Sequence, residues 1–281
     1  MKSPNTRVTA VALALLVAVT SFGQGAAADW APPPANARFD YQIGGDYPLP
    51  PGVFVVSRDW FNGEAPATGY GICYVHAFQT QADEAGVDRP DEQSNWPQQL
   101  VLTALGDHPN WGGEYLIDIS TAEKRAEAAA WVQPMIAECA AKGFQAVEFD
   151  NLDSWTRFDG TPLAGQVPFG RAEAVAYATL LAAAAHDLNL AAAQKNTAEL
   201  SLAEARGQIG FDFAIAEECG RYRECQTYRR LYGNGVIVIE YRAKDFKKVC
   251  KSKKLRRNLS IVLRDVNVTQ PGSGTYVYRA C

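Results

Sequence analysis

Two segments, Phe144-Gln-Ala-Val-Glu-Phe-Asp-Asn-Leu-Asp153 and Phe211-Asp-Phe-Ala-Ile-Ala-Glu-Glu-Cys219, run apolar and alternating and then stop abruptly in carboxylates. Such alternation reads as a buried strand, and a buried strand gains nothing by ending in unpaired acids, which are costly to desolvate. Acids do belong at the carboxyl ends of parallel strands when those ends form the rim of an α/β barrel, where such barrels build their sites. Two strand ends that each offer a carboxylate are also the minimum equipment for hydrolysing a glycosidic bond. Capping of the following helices is the simpler reading of Asp and Asn after a strand. Glu148, Asp150, Asp153, Glu217 and Glu218 are too many acids for two caps.

The first 28 residues read as a signal peptide rather than as fold. Lys2 and Arg7 give a positive start, Val8 to Phe22 an apolar core, and Ala26-Ala27-Ala28 a small-residue cleavage site before Asp29. Cleavage there leaves residues 29–281, about 250 residues, the size of a single (β/α)8 barrel domain. The leader carries basic residues and no acids, so the secreted chain is more acidic than the net charge of −4 of the whole. No later apolar run is long enough to span a bilayer, so no membrane association is expected after cleavage. The acidic balance and export also argue against a nucleic-acid partner. A secreted monomer is expected.

Six cysteines remain: Cys73, Cys139, Cys219, Cys225, Cys250 and Cys281. An even count in an oxidising compartment favours disulfides. Cys219 and Cys225 bracket a loop short enough to close directly behind the second acidic strand end. Pairing Cys250 with Cys281 would tie down the C-terminus, and that leaves Cys73 with Cys139. His76, His108 and His186 show no ligand spacing, so no metal site is expected, and no cofactor motif is present.

Strand candidates recur along the chain at 39–43, 53–57, 70–76, 115–119, 144–149, 190–194, 212–216, 236–240 and 260–264. Nine candidates exceed the eight places of a barrel, so one is accessory; 115–119 and 39–43 are the weakest. Alanine-rich helices are predicted over 121–142, opened by a capping box at Ser120-Thr-Ala-Glu123, and over about 170–188, with a short helix at 198–206. Asp83 to Gly113 is long and polar, with Trp96 and Trp111, and reads as a binding loop. Strands alternating with helices over this length define an α/β chain, here a TIM barrel.

Polar groups terminate strand after strand: Gln42, Asp59, Tyr74 with His76, Asp150, Lys195-Asn196, Glu217 and Glu240-Tyr241. Converging on one rim they would form an acidic cleft with aromatic faces, which suits a sugar ring. There is no Gly-x-Ser-x-Gly elbow, phosphate loop or dinucleotide fingerprint.

In this order the segments resemble glycoside hydrolase family 114, the endo-α-1,4-polygalactosaminidases. The resemblance is carried by Phe39-Asp-Tyr-Gln-Ile, Ile72-Cys-Tyr, Trp111-Gly-Gly-Glu-Tyr-Leu-Ile-Asp, Gly143-Phe-Gln-Ala-Val-Glu-Phe-Asp-Asn-Leu-Asp, Lys195-Asn, Phe211-Asp-Phe-Ala-Ile-Ala-Glu-Glu-Cys and Ile239-Glu-Tyr. It implies a (β/α)8 barrel, hydrolysis of α-1,4-linked galactosamine with retention, and a polysaccharide partner. Carried over residue by residue, it implies Asp150 as nucleophile and Glu217 as general acid/base. The family's Asn-Glu-Gln-Cys is replaced by Ala216-Glu-Glu-Cys219, which leaves Glu218 as a competitor for that role. Gln42, Asp59, Tyr74, Trp111, Asn151, Asp153, Lys195, Asn196, Glu218, Glu240 and Tyr241 are the expected substrate-binding residues. The alternatives are a sugar-binding barrel without activity, such as a surface adhesin, and a glycosidase acting on another amino sugar or a galactan.

One stretch stands apart. Lys244 to Arg257 holds eight Lys or Arg against the single acid Asp245. It reads as a solvated helix face, or as an attachment surface for an anionic cell-wall polymer.

Overall fold

The computed structural model describes residues 30–82 and 89–281. The expected leader and six residues of the 83–113 loop lie outside the described residues. Strands β1 (Phe39–Gln42), β2 (Val55–Asp59), β3 (Tyr70–His76), β4 (Ala146–Asp150), β5 (Ala191–Lys195), β6 (Phe213–Glu217), β7 (Val236–Glu240) and β8 (Ser260–Arg264) pair in sequential order, all parallel. A short β9 (Tyr278–Ala280) runs antiparallel beside β8. The result is the expected barrel, nearly closed.

The seam between β8 and β1 is bridged by a side chain rather than by a main-chain ladder. Arg264, fully buried at the end of β8, lies 2.9 Å from Asp40 Oδ1 and donates to the Tyr41 carbonyl, both on β1. Its Nε reaches the Val277 carbonyl at 2.9 Å, which ties in the segment leading to β9.

Alternate residues of each strand face the lumen, as a pleat of period two requires. Phe39, Tyr41, Val55, Ile72, Tyr74, Phe213, Ile215, Ile237 and Ile239 fill it, with Ala146, Ala191 and Ala193 leaving room for the tyrosines. The opposite faces of β3, β4 and β5 pack on helices α1 (Ala122–Ala141) and α2 (Arg171–Asp187). Those of β6, β7 and β8 meet α4 (Cys225–Tyr232), α5 (Ala243–Lys251) and α6 (Lys253–Arg256), with the single turn α3 (Cys219–Tyr222) at the end of β6. The β1–β2 and β2–β3 crossovers carry no helix.

Helix α1 starts one residue later than the capping-box reading placed it. Thr121 is the N-cap, its Oγ1 accepting from the Lys124 N–H at 3.3 Å. The segment 115–119 is the accessory candidate, making only isolated bridges from Leu116 to Gln79 and from Ile117 to Val101. The short helix expected at 198–206 forms instead as a wide turn at Ala203–Ile209.

All three expected disulfides form. Cys73–Cys139 ties the outer face of β3 to α1, Cys219–Cys225 closes the loop behind β6, and Cys250–Cys281 fixes the C-terminus to α5. Cross-linking a span of 66 residues removes denatured-state freedom worth about 4 kcal/mol.

Candidate active site

The parity that fills the lumen also decides which strand-end groups share it. Ala146, Glu148 and Asp150 point inward, while Val147 and Phe149 pack outward on the helices. By the same rule Lys195 follows Ala193 inward, Glu217 follows Ile215, Tyr241 follows Ile239, and Ser57 follows Val55. One mouth of the barrel thus collects three acids, one lysine and several hydroxyls.

Lys195 is the hub. Its buried Nζ lies 2.7 Å from Glu148 Oε1, 3.0 Å from Asp150 Oδ1 and 3.6 Å from Glu217 Oε2. It donates to the Tyr41 hydroxyl at 2.9 Å and sits 5.3 Å from the centre of the Tyr74 ring. Burial works against its charge, but Asp150, Glu148 and Glu217 more than compensate and hold it protonated. Glu148 sits a layer below the other two acids and is fully buried. Burial pushes its carboxyl up, opposed by Lys195 and by the Ser57 hydroxyl at 2.7 Å. It anchors the lysine and is out of reach of solvent.

Asp150 and Glu217 stand above that layer. Burial raises the Asp150 carboxyl, but the Lys195 ammonium, with the Tyr74 hydroxyl donating to Oδ2 at 2.5 Å, holds it well below the usual carboxylate range. Glu217 is clamped at two points by Asn196, whose Nδ2 donates to Oε2 at 2.9 Å and whose Oδ1 accepts the Glu217 N–H at 2.8 Å. The Tyr241 hydroxyl donates to the other oxygen, Oε1. A single ammonium in contact with both acids limits the gap between their nearest oxygens to about 7 Å, a limit that includes the 5–5.5 Å spacing of retaining pairs.

The backbone is forced at the same strand ends. Asn151, Asn196, Thr197 and Glu218 adopt φ of 65°, 47°, 63° and 53° just after β4, β5 and β6. Left-handed non-glycine residues cost energy and concentrate where a site over-determines them. Here they turn the chain sharply while keeping Asp150, Lys195 and Glu217 aimed inward.

Other expected site residues fall into four groups. Asn151 and Asp153 line the β4 exit. Asn151 Oδ1 accepts from Arg157 Nη2 at 2.7 Å while its Nδ2 has no partner, and burial raises the Asp153 carboxyl. Trp111 is 43 % exposed on the long loop, its N–H bonded to His108, whose ring meets Arg157. Three residues do not face the lumen. Gln42, after inward Tyr41, bonds Asp40 and Arg58 on the outer face of the strands. Glu240, after inward Ile239, lies under α3 and accepts the Gly220 N–H at 2.6 Å; it does not pair with Lys195. Glu218 turns to Arg221 at 2.7 Å. Asp59 has inward parity but is committed to Arg89 at 3.1 Å and to the Phe61 and Asn62 N–H groups.

His76, named among the strand-end groups, joins the site as expected, whereas Tyr41, Ser57 and Arg157 belong to it without having been singled out. For Tyr41 and Ser57 the signal was present: each stands two residues beyond an apolar lumen residue on its own strand. Arg157 carries no such sign, since a loop has no periodicity.

An acid pair at the mouth of an α/β barrel, one acid held ionised by a buried lysine, is equipment that fits a glycoside hydrolase. The chain belongs to glycoside hydrolase family GH114, whose sequence profile matches residues 19–281. It is an enzyme of that class and not a sugar-binding barrel without activity. Among solved structures the chain is similar to Ega3 of Aspergillus fumigatus, crystallised with galactosamine. Identity is 21 %, coverage is 92 % of this chain and 100 % of that one, and the TM-score is 0.71. It is also similar to the glycoside hydrolase domain of PelA from Pseudomonas aeruginosa, at 14 % identity over 84 % of this chain and 96 % of that one, with a TM-score of 0.53. No curated protein matches the sequence.

Proposed function

We propose that the protein is a secreted retaining endo-glycosidase that cleaves α-1,4-linked galactosamine in a cationic polysaccharide, with Asp150 as nucleophile and Glu217 as general acid/base. The observation that carries the assignment of roles is the asymmetry of the two acids. A retaining pair needs one carboxylate kept ionised and ready to attack, and Asp150 has the lysine and the tyrosine donor that keep it so. Glu217 is the partner left to protonate the leaving oxygen and then to activate water. Its contacts are hydrogen bonds from Asn196 and Tyr241, with the ammonium at 3.6 Å.

The substrate class rests on family membership, on the galactosamine bound to the similar fungal barrel, and on charge. Galactosamine without an N-acetyl group is cationic near neutral pH, and an acid-rich mouth attracts it in a salt-dependent way. Burial raises the Asp153 carboxyl, with Arg157 opposing and Asp150 and Glu199 adding to the rise, and burial raises Glu224 likewise, so acids outnumber the one arginine on this side of the mouth. Secretion is supported by the leader-like first 28 residues and by three disulfides.

The test is incubation of the purified protein with partly deacetylated galactosaminogalactan, and with neutral galactan as comparator. Products are followed by mass spectrometry and by anomeric proton NMR. Galactosamine oligomers born in the α configuration are expected. Cleavage of galactan alone, or products born β, would overturn the reading.

A further inference from the structure

The basic segment singled out in the sequence folds into a continuous cationic stripe. Lys244, Lys247, Lys248 and Lys251 recur at i, i+3, i+4 and i+7 of α5, so they share one face. Asp245, Phe246 and Val249 form the buried face behind them. Lys253, Lys254, Arg256 and Arg257 continue the exposed surface through α6, with Leu255 turned inward. Eight of the chain's 27 Lys and Arg thus stand together with one of its 31 Asp and Glu. That one acid, Asp245, is paired with Arg242 at 3.2 Å.

Among the described residues none of the eight makes an ion pair with a carboxylate. Lys248 donates to the Gly220 carbonyl at 2.7 Å, and the others reach into solvent. Like charges three and four residues apart repel along a helix. The stripe is held in spite of this by its buried face and by the Cys250–Cys281 bridge. A ligand of opposite sign would relieve the repulsion.

We propose that this stripe is a binding surface for an anionic polysaccharide, separate from the catalytic mouth. The substrate of the mouth is excluded as its ligand, because a polycation would be repelled. A membrane is disfavoured because Phe246, Val249 and Leu255 are all buried, which leaves no apolar side chain to insert between lipids. Nucleic acid is disfavoured because the one aromatic within 244–257, Phe246, is buried, which leaves the stripe itself no ring on which a base could stack. What remains is a rigid row of cations, roughly two per helical turn of about 5.4 Å, suited to a polymer dense in carboxylates. Only the exclusion of the mouth's own substrate rests on the function proposed above; the unpaired cations of the stripe do not.

The test measures retention of the mature protein on immobilised polygalacturonate across a sodium chloride gradient. Anionic phospholipid vesicles, duplex DNA and neutral dextran are run in parallel. The expected result is retention on polygalacturonate at low salt, despite the acidic chain, and release as salt rises. The quadruple variant Lys244→Glu, Lys247→Glu, Lys251→Glu and Lys254→Glu should weaken binding by roughly tenfold or more, since each cation near an anionic surface contributes measurably. Hydrolysis of short soluble oligomers should be unchanged. The same four positions changed to Gln provide a variant without new acids, expected to bind at an intermediate level and to melt as the parent does. No retention, equal binding by the Gln variant and the parent, or preference for vesicles or DNA would overturn the proposal.

Discussion

The hydroxyl of Tyr74 stands 2.6 Å from Nε2 of His76 and 2.5 Å from Oδ2 of Asp150. A phenol has one proton, and an ionised carboxylate has none to give, so Tyr74 donates to Asp150 and accepts from His76. The proton of the imidazole therefore sits on Nε2. Its Nδ1 is buried without a partner, and burial holds the ring below its ordinary pKa, both consistent with a neutral imidazole. The strand order Tyr74-Val75-His76 places both rings inward and stacks them against Asp150.

Tyr74→Phe removes one of the donors that keep Asp150 ionised. Hydrogen bonds to charged groups are worth about 1.5–3 kcal/mol, so kcat should fall roughly 10–100-fold with a smaller change in KM. The sign for pH follows from the same donor. Losing it raises the Asp150 carboxyl, so the acid limb of kcat/KM moves to higher pH. A pH–rate profile checks this, and an unmoved acid limb would place Tyr74 in substrate binding alone.

Asp150→Asn and Glu217→Gln should each lower kcat by at least about 10²–10⁴-fold, with the polymer still bound. Glu218→Gln should keep most of the activity, because Glu218 points to Arg221 and away from the lumen. Initial rates on the polysaccharide, with circular dichroism to verify folding, decide the matter. Loss of turnover in Glu218→Gln but not in Glu217→Gln would move the acid/base by one residue.

Lys195→Met should be costly twice. It leaves Glu148 and Asp150 without their buried counter-charge, a change worth about 3–5 kcal/mol when one partner of a buried pair is removed. Adding Glu148→Gln removes one orphaned acid and should restore part of the melting temperature but none of the activity, since Asp150 still lacks its ammonium. Equal stability of the single and double variants would separate Glu148 from the lysine.

Much of this arrangement is written in the chain as period-two patterning. The eight barrel strands follow from apolar runs, but the accessory candidate is narrowed only to 115–119 or 39–43, and cysteine spacing points firmly to Cys219–Cys225 alone, since six cysteines allow fifteen pairings. Within the site, position along a strand and parity across it are separate signals. Gln42 and Glu240 terminate strands, and that alone suggests the mouth. Parity, however, sends each to the outer face, because Tyr41 and Ile239 before them are lumen residues. Asp59 passes both filters and is still withheld, by Arg89 from a loop more than twenty residues on. The Arg157–His108–Asn151 contacts are likewise made between loops, where no periodic signal exists.

The Cys219–Cys225 bridge closes a loop spanning only 6 residues, so its chain-entropy contribution is about 2 kcal/mol. The double Ser variant should melt several degrees lower while retaining activity at moderate temperature. Glu217 keeps its Asn196 clamp without the bridge. Loss of activity at a temperature where the variant is still folded would show that the bridge positions the acid directly.

Glu240 gives a stability prediction with a definite sign. Burial pushes its carboxyl up to about 7, helped by the nearby Asp245 and Glu218 and opposed by the Gly220 N–H and by Lys248. Its Oε2 is buried without a partner. The fold therefore binds a proton here more tightly than the unfolded chain does, and the stability this provides is fully present below about 4.5. It declines as pH rises through about 7, because the carboxylate must then be buried. Glu240→Gln imitates the protonated form and keeps an oxygen for the Gly220 N–H. It should leave the melting temperature at pH 5 nearly unchanged and raise it relative to the parent at pH 8. Activity should be unaffected, since the side chain lies under α3 and not in the mouth. A Gln variant that loses stability equally at both pH values would mean that the carboxyl is not held protonated by the fold.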